Sequence, residues 1–389
     1  MNVKKAPLII SLLFLSVGFS QQLKTNEVVT ERHDNGLKKL LLVFEGTGIN
    51  EALVGKYGFY EDGLNEFIEL YRNNKKHGKS LYWHDNGNQK GELNYKDGKL
   101  YGRGSCDMKG FIACTLAYAP IFSKSNLDRD IHFSFTFDEE TACIGAPILI
   151  KELKKRGFNK GICIVGEPTN MKIIDAHKGA YEYTTYFEGL AGHSSQPHKG
   201  VSAVEYAARY VNKLIELRKK LKDRAPKNSI FDPPYSTLSV GGIFGGIAHN
   251  VISDKCHVKW ETRPVVKDDA IFLNSEIDKY VNENLLPDMK KIFPDSKISK
   301  EIIGEIIGFN RDKKSEACEF VSSITGDNSR EVVSFGTEAG LFQEIGISAA
   351  VCGPGSIEQA HKIDEFIQLE EINKCLNFLS GVKDKSIFK

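Results

Sequence analysis

Between about Glu31 and Leu100, aromatic and polar positions alternate with the period of two that a half-buried strand requires. The alternation is interrupted by Tyr60-Glu-Asp-Gly63 and Trp83-His-Asp-Asn-Gly87, turn words that close tight hairpins. The pattern repeats itself: Tyr71 recurs as Tyr95 and Gly78 as Gly102, about 24 residues apart, a period that marks stacked repeats. After residue 100 the pattern changes. Phe111 to Ile121 is an apolar run with the length of a buried helix, followed by a strand at Ile131 to Phe137, a helix at Ala146 to Arg156 and a strand at Gly161 to Val165. This is α/β alternation, with carboxylates collected at strand ends. From about Lys178 the periodicity shifts again. Tyr181 to Phe187 alternates as a strand, Val201 to Leu221 forms a long helix, strands run over Ser236 to Ile243 and Val251 to Glu261, and a helix follows over Asp268 to Asn284. Beyond Pro294 come a helix at Lys314 to Ile324, a strand at Ser348 to Cys352 and a last helix from Glu370 to Leu379.

The predicted organisation is therefore an α/β domain interrupted by an α+β insertion and preceded by a β-hairpin leader. Its parts are hairpin repeats over 31–100, α/β segments over 101–178 and 291–389, and an inserted α+β unit over 179–290. A chain of 389 residues with 41% hydrophobic content has core material for two or three domains. Fifty-two basic against 51 acidic residues leave no field that would draw nucleic acid or an anionic membrane, and both are excluded as partners. All eight cysteines follow residue 100 and none forms a C-x-x-C pair, so they read as reduced thiols of a cytoplasmic enzyme. The N-terminus points elsewhere. Lys4 and Lys5 precede the apolar run Leu8 to Phe19, and Gly18-Phe19-Ser20 offers a cleavage site, a secretory pattern implying a periplasmic or secreted location for a chain trimmed of residues 1–20. The run is short for a membrane span, so no span is expected in the mature chain.

Several residues are candidates for chemistry. Asp107 stands between a glycine-rich turn and the predicted helix, where it serves either as an N-cap or as a metal ligand. Asp138-Glu139-Glu140 follows an apolar strand; such a triplet is a solvated turn unless a cation sits among its carboxylates. Glu167 again lies just past a strand, and His361 sits in Gln359-Ala-His-Lys-Ile-Asp364. Oxygen ligands with an imidazole suit zinc or cobalt. His193 in Gly192-His-Ser-Ser195 is either a capping loop residue or a catalytic one. Arg263 either pairs with Glu261 or binds a carboxylate through its planar fork.

The stretch Tyr101 to Phe111, YGRGSCDMKGF, with the acidic triplet, Glu167 and His361 following in order, resembles the acetylornithine deacetylase and succinyl-diaminopimelate desuccinylase family of two-metal amidohydrolases. The Cys-Asp-Met-Lys-Gly-Phe wording is most similar to the acetylornithine deacetylase branch, and the resemblance runs from about Lys96 to Leu379. It implies that Asp107 bridges two metals, that Glu140 and His361 complete one of them, and that Glu167 holds the other. It further implies Glu139 as the general base for the attacking water and the leaving amine. His193 would stabilise the oxyanion in a partner subunit's site, which requires a homodimer. Asn250, Arg263, Gly336 and Thr337 would line the substrate pocket. The implied reaction is removal of the acyl group from N-acetylornithine, a step of arginine biosynthesis. Close alternatives are a desuccinylase or dipeptidase on the same scaffold, and an alternative of another class is an exported binding protein with an inactive hydrolase remnant. One departure stands out: the family's His-x-Asp pair is absent, and His33-Asp34 and His84-Asp85 read as turn residues whose side chains would face opposite sides of a strand. The region over 31–100 resembles MORN-type repeats, which implies a protein partner for that segment.

Overall fold

The computed structural model describes residues 25–46, 51–141 and 143–387. The secretory pattern expected over residues 1–20 lies outside them. Among the described residues no helix is long and apolar enough to cross a membrane. The chain divides into two compact units, one running to Ser105 and including His361–Glu370, the other comprising Cys106–Ala360 and Glu371 onward.

The first unit is an antiparallel meander. Its strands are β1 (Thr25–Arg32), β2 (Lys38–Glu45), β3 (Ala52–Phe59), β4 (Asn65–Arg72), the short β5 (Lys75–Lys76), β6 (Gly78–Trp83), β7 (Gln89–Lys96) and β8 (Lys99–Tyr101). They pair in the order β1-β2-β3-β4-β6-β7-β8, with β5 on β4, and the strand Phe366–Gln368 closes the edge on β8. His33 and His84 open tight turns, donating their backbone N–H groups to Leu37 and Asn88 at 3.0 and 2.9 Å. The glycine ending each turn, Gly36 or Gly87, has φ of +83° or +81°, which a side chain would strain. Inside the sheet, Glu69 of β4 is 9% exposed and accepts bonds from Lys76 Nζ and from the hydroxyls of Tyr71 and Tyr82. Burial alone would raise its carboxyl pKa, but these donors overcome it and hold the group below its ordinary value.

Among the described residues the second unit carries two four-stranded sheets and a two-stranded one. Its elements begin with α1 (Gly110–Ser123), α2 (Gly145–Lys155), β9 (Ile162–Val165), β10 (Ile174–His177), β11 (Ala180–Glu188), β12 (Gly192–His193), α3 (Ala203–Asp223), β13 (Thr237–Gly245), β14 (Val251–Ile252) and β15 (Lys255–Arg263). They continue with α4 (Lys267–Tyr280), α5 (Leu286–Ile292), β16 (Lys297–Ile306), α6 (Glu316–Thr325), β17 (Glu331–Val333), α7 (Ala339–Glu344), β18 (Ser348–Val351) and α8 (Leu369–Lys385). The catalytic sheet has the order β17-β10-β18-β9, and β9 and β18 run parallel. The lid sheet, β13-β15-β11-β16, is antiparallel. Helix α3 covers it: Ala207, Tyr210, Leu214, Leu217 and Leu221 recur at helical spacing, each at most 1% exposed, and pack on Tyr183, Phe187, Val258 and Trp260. Ser202 caps α3 by accepting the N–H of Glu205 at 3.3 Å.

One predicted element is absent. Ile131 to Phe137 is not a strand, although its residues alternate as one. A strand needs a neighbour for its backbone groups, and β9, the edge of the catalytic sheet, does not pair with this segment. Phe133 still packs on Phe122 of α1, whereas Phe135 and Phe137 are 54% and 55% exposed.

The buried carboxylate of β4 gives a direct test. Glu69→Ala strands Lys76 and two phenols, and should destabilise the first unit by about 2 kcal/mol. Hydrogen exchange at β4 and β6 amides should then quicken roughly thirtyfold.

Candidate active site

Asp107 lies in the irregular turn Ser105–Lys109 with φ −115° and ψ 93°, outside helical geometry. It is therefore not the cap of α1; Lys109 holds that position without a side-chain bond. The turn is fastened by the Cys106 thiol, which donates to the carbonyl of Ser356 at 3.3 Å, at the head of the turn leading to His361. Two glycines let the strand ends approach. A Cβ on Gly166, just after β9, would stand 2.0 Å from the Phe111 ring of α1, and one on Gly353, after β18, would stand 2.2 Å from the Gly166 carbonyl. Cys352 and Thr169 donate their N–H groups across the same junction to Val165 and Gly353, which fixes Glu167 between them.

Glu139 and Glu140 occupy a single 3-10 turn, Glu139–Thr141. Asp138 enters it at φ +54° and Cys143 leaves it at φ +53°. The Cys143 thiol donates to Glu139 Oε1 at 3.5 Å.

Within the second unit, one carboxylate oxygen each from Asp107 and Glu140 lie within 4.8 Å of one another. Glu139 and Glu167 belong to the same carboxylate group. Burial, and then the charges of Glu140, Glu338 and Asp107, outweigh the Cys143 bond and push Glu139 up to about 7. Glu167, 7% exposed, is held well above the usual carboxylate range by burial and by Glu139 and Asp107, and it shares a hydrogen bond with Asp107. Carboxylates this close are stable only when some are protonated or a cation lies among them. Two carboxylates and an imidazole form a donor set for zinc or cobalt.

Two participants were not singled out from the sequence. His177, at the end of β10, is 1% exposed; its Nδ1–H donates to the Lys178 carbonyl at 2.9 Å, and its Nε2 accepts from the backbone N–H and hydroxyl of Thr337 at 3.2 and 2.9 Å. Burial pushes this imidazole down to about 4, so it is neutral at pH 7. The Thr337 hydroxyl in turn accepts the N–H of Ala339 at 3.1 Å. Thr337 is fully buried and ties down its loop, and Gly336 lies against Ile306 and Ala180. The second participant, Glu338, follows in that loop and is 9% exposed. Its signal was its place in Gly336-Thr-Glu-Ala339, a segment read for its glycine; His177 offered no motif.

The remaining candidates sit on the lid. His193 is exposed, with Nδ1 2.8 Å from Ser195 Oγ. The carbonyl of Asn250 accepts the N–H of Ser194 at 3.1 Å, so Asn250 lies beside the His193 turn. Arg263 donates to Glu261 Oε2 at 2.8 Å and stands 3.8 Å from Glu182, the pairing that its sequence offered as an alternative to substrate binding.

Two predictions follow from these charges. Asp107→Asn should stabilise the metal-free chain by about 1–2 kcal/mol, by removing one of the crowded charges, and should abolish the stabilisation by zinc. In wild type, zinc at a hundred times its dissociation constant should add about 2.7 kcal/mol, read as a rise in Tm. His177 is depressed from its ordinary 6.5, so its contribution is complete above that pH and is lost as pH falls toward 4. Wild type should lose about 3 kcal/mol more than His177→Gln between pH 6.5 and 4 in denaturant melts.

Residues 83–383 match the model for peptidase family M20/M25/M40. The chain is 34% identical over 290 residues to an acetylornithine deacetylase of Erwinia tasmaniensis, covering 75% of this chain and 73% of that protein. It is also 34% identical over 284 residues to one of Myxococcus xanthus, covering 73% and 71%. Among solved structures it is similar to aminopeptidase PepT of Bacillus cereus, with a TM-score of 0.56 at 17% identity over 92% of this chain and 88% of that one. It is also similar to a metallo-carboxypeptidase of Sulfolobus solfataricus, with a TM-score of 0.54 at 16% identity over 75% and 78%. The chain belongs to peptidase family M20/M25/M40, as a metal-dependent hydrolase of linear amides.

Proposed function

We propose that the chain removes the acyl group from an N-acyl amino acid, with N-acetylornithine giving ornithine and acetate. The observation that carries the reaction type is Glu139, a carboxylate pushed up to about 7 beside the Asp107 and Glu140 donors. The choice of substrate rests on the 34% identity to acetylornithine deacetylases over nearly three quarters of the chain.

Asp107, Glu140 and His361 would hold a divalent metal, zinc or cobalt. When bound, it polarises the amide carbonyl and makes water more acidic. Glu139 takes the proton of the attacking water and returns it to the leaving nitrogen; a base with a pKa near the working pH serves both transfers. Glu167 would contribute to a second metal, but no His-x-Asp pair exists in the sequence to join it. One metal per chain is therefore the expected stoichiometry. His193, exposed on the lid, would reach the site of a partner subunit and stabilise the oxyanion, which makes a homodimer the working form. Asn250 and Arg263 would meet the substrate carboxylate, with Arg263 exchanging Glu261 for it.

The test is metal content together with amine release from N-acetylornithine, on wild type and Glu139→Gln. Wild type should bind about one metal and release ornithine, and the variant should keep the metal while losing at least a hundredfold in kcat. Loss of metal in the variant would refute the base assignment. Bound metal with no release from wild type would favour an exported binding protein with an inactive hydrolase remnant, a reading supported by the missing His-x-Asp pair and the unpaired Ile131 to Phe137 segment.

A further inference from the structure

Glu338 is a buried carboxylate that the proposed chemistry leaves without a task. It is 9% exposed, and burial raises its carboxyl above the ordinary range against the opposing influence of the Thr136 hydroxyl. One of its oxygens, Oε1, is buried and has no hydrogen-bond partner. It lies near enough to Glu139, Cys143 and Glu167 for its charge to act on all three. A buried carboxylate oxygen without a donor is a strong liability, and relaxation toward solvent would normally remove it.

Here the backbone forbids that escape. Thr337 is anchored to His177, and Ala339 is bonded back to Thr337. A Cβ on Gly340 would come within 2.6 Å of the Gly308 carbonyl, so the loop sits tightly against its neighbour. Glu338 does not belong to the ligand group that contains Asp107 and Glu140. A donor carried by a substrate would satisfy this oxygen where the fold supplies none.

We infer that Glu338 is a specificity-determining residue that receives the side-chain ammonium of an N-acylated diamino acid at Oε1. This rests on the deacylase reading above and assigns to one residue the selection of a positively charged side chain over a neutral one. A site built around a charged acceptor penalises an isostere that lacks the donor, because the acceptor is then left buried and unpaired.

The experiment compares N-acetylornithine with N-acetylnorvaline, which has the same carbon chain without the terminal amine, on the metal-loaded full chain. The ratio of kcat/KM for the cationic to the neutral substrate should fall on the order of a hundredfold in Glu338→Gln. Glu338→Asp, which keeps the charge but withdraws it by one carbon, should fall in between and covers the case in which the glutamine variant fails to fold. Calorimetric binding of ornithine and norvaline to metal-loaded wild type supplies a readout independent of turnover. Tighter binding of ornithine supports the assignment even if neither substrate is cleaved, an outcome that would instead defeat the deacylase reading. An unchanged ratio, equal binding of the two amino acids, or loss of metal from the glutamine variant would overturn it; the last would make Glu338 a metal-site residue.

Discussion

The structure turns on a crowd of like charges. Asp107, Glu139, Glu140, Glu167 and Glu338 come from a turn, a 3-10 segment, a strand end and a loop, and all lie in the unit that contains the catalytic sheet. Burial and mutual repulsion hold Glu139 and Glu167 above the ordinary range. Such a cluster persists only if the surrounding fold stores its cost and protons or a cation relieve it. The hydrolytic chemistry of the family requires the same thing, a cation beside a carboxylate able to exchange protons near neutrality.

The scaffold pays for this convergence through close backbone approach and neutral hydrogen bonding. Gly166 and Gly353 allow two parallel strand ends and the start of α1 to meet where any side chain would collide. His177 is kept uncharged by burial and joins β10 to the loop carrying Glu338 through bonds that suit only the neutral ring. A protonated imidazole there would lose its acceptor for Thr337 and add a buried charge. Packing elsewhere in the unit is ordinary: the leucines of α3 on the lid sheet need no such arrangement.

Much of this was legible in the residues. Periodicity located α1, α2, α3 and the lid strands β11, β13 and β15 to within a few positions, because each buries a face that must repeat with its element's own period, whereas β16 of the same sheet was not predicted and lies beyond the expected lid boundary at 290. The hairpins of the first unit were legible in their Asn-Gly and Asp-Gly turns. Ile131 to Phe137 was not, since alternation records a capacity to pair and the partner is a matter of the whole chain. His177 and Glu338 were invisible for a related reason: a buried polar group acquires its role from neighbours distant in sequence, here Thr337 and Thr136. Arg263 shows the converse, a residue whose two sequence readings are separated only by seeing Glu261 on its guanidinium.

The central claim is that a divalent cation takes the place of protons within this carboxylate cluster. Proton release on zinc binding, measured by calorimetry in buffers of different ionisation enthalpy, tests it most directly. The account predicts about one proton or more expelled per zinc at pH 6, declining as the pH rises past 7, because zinc should return the raised carboxyls to their ionised form. Zinc binding with no proton release at pH 6, or no zinc binding at all, would contradict it.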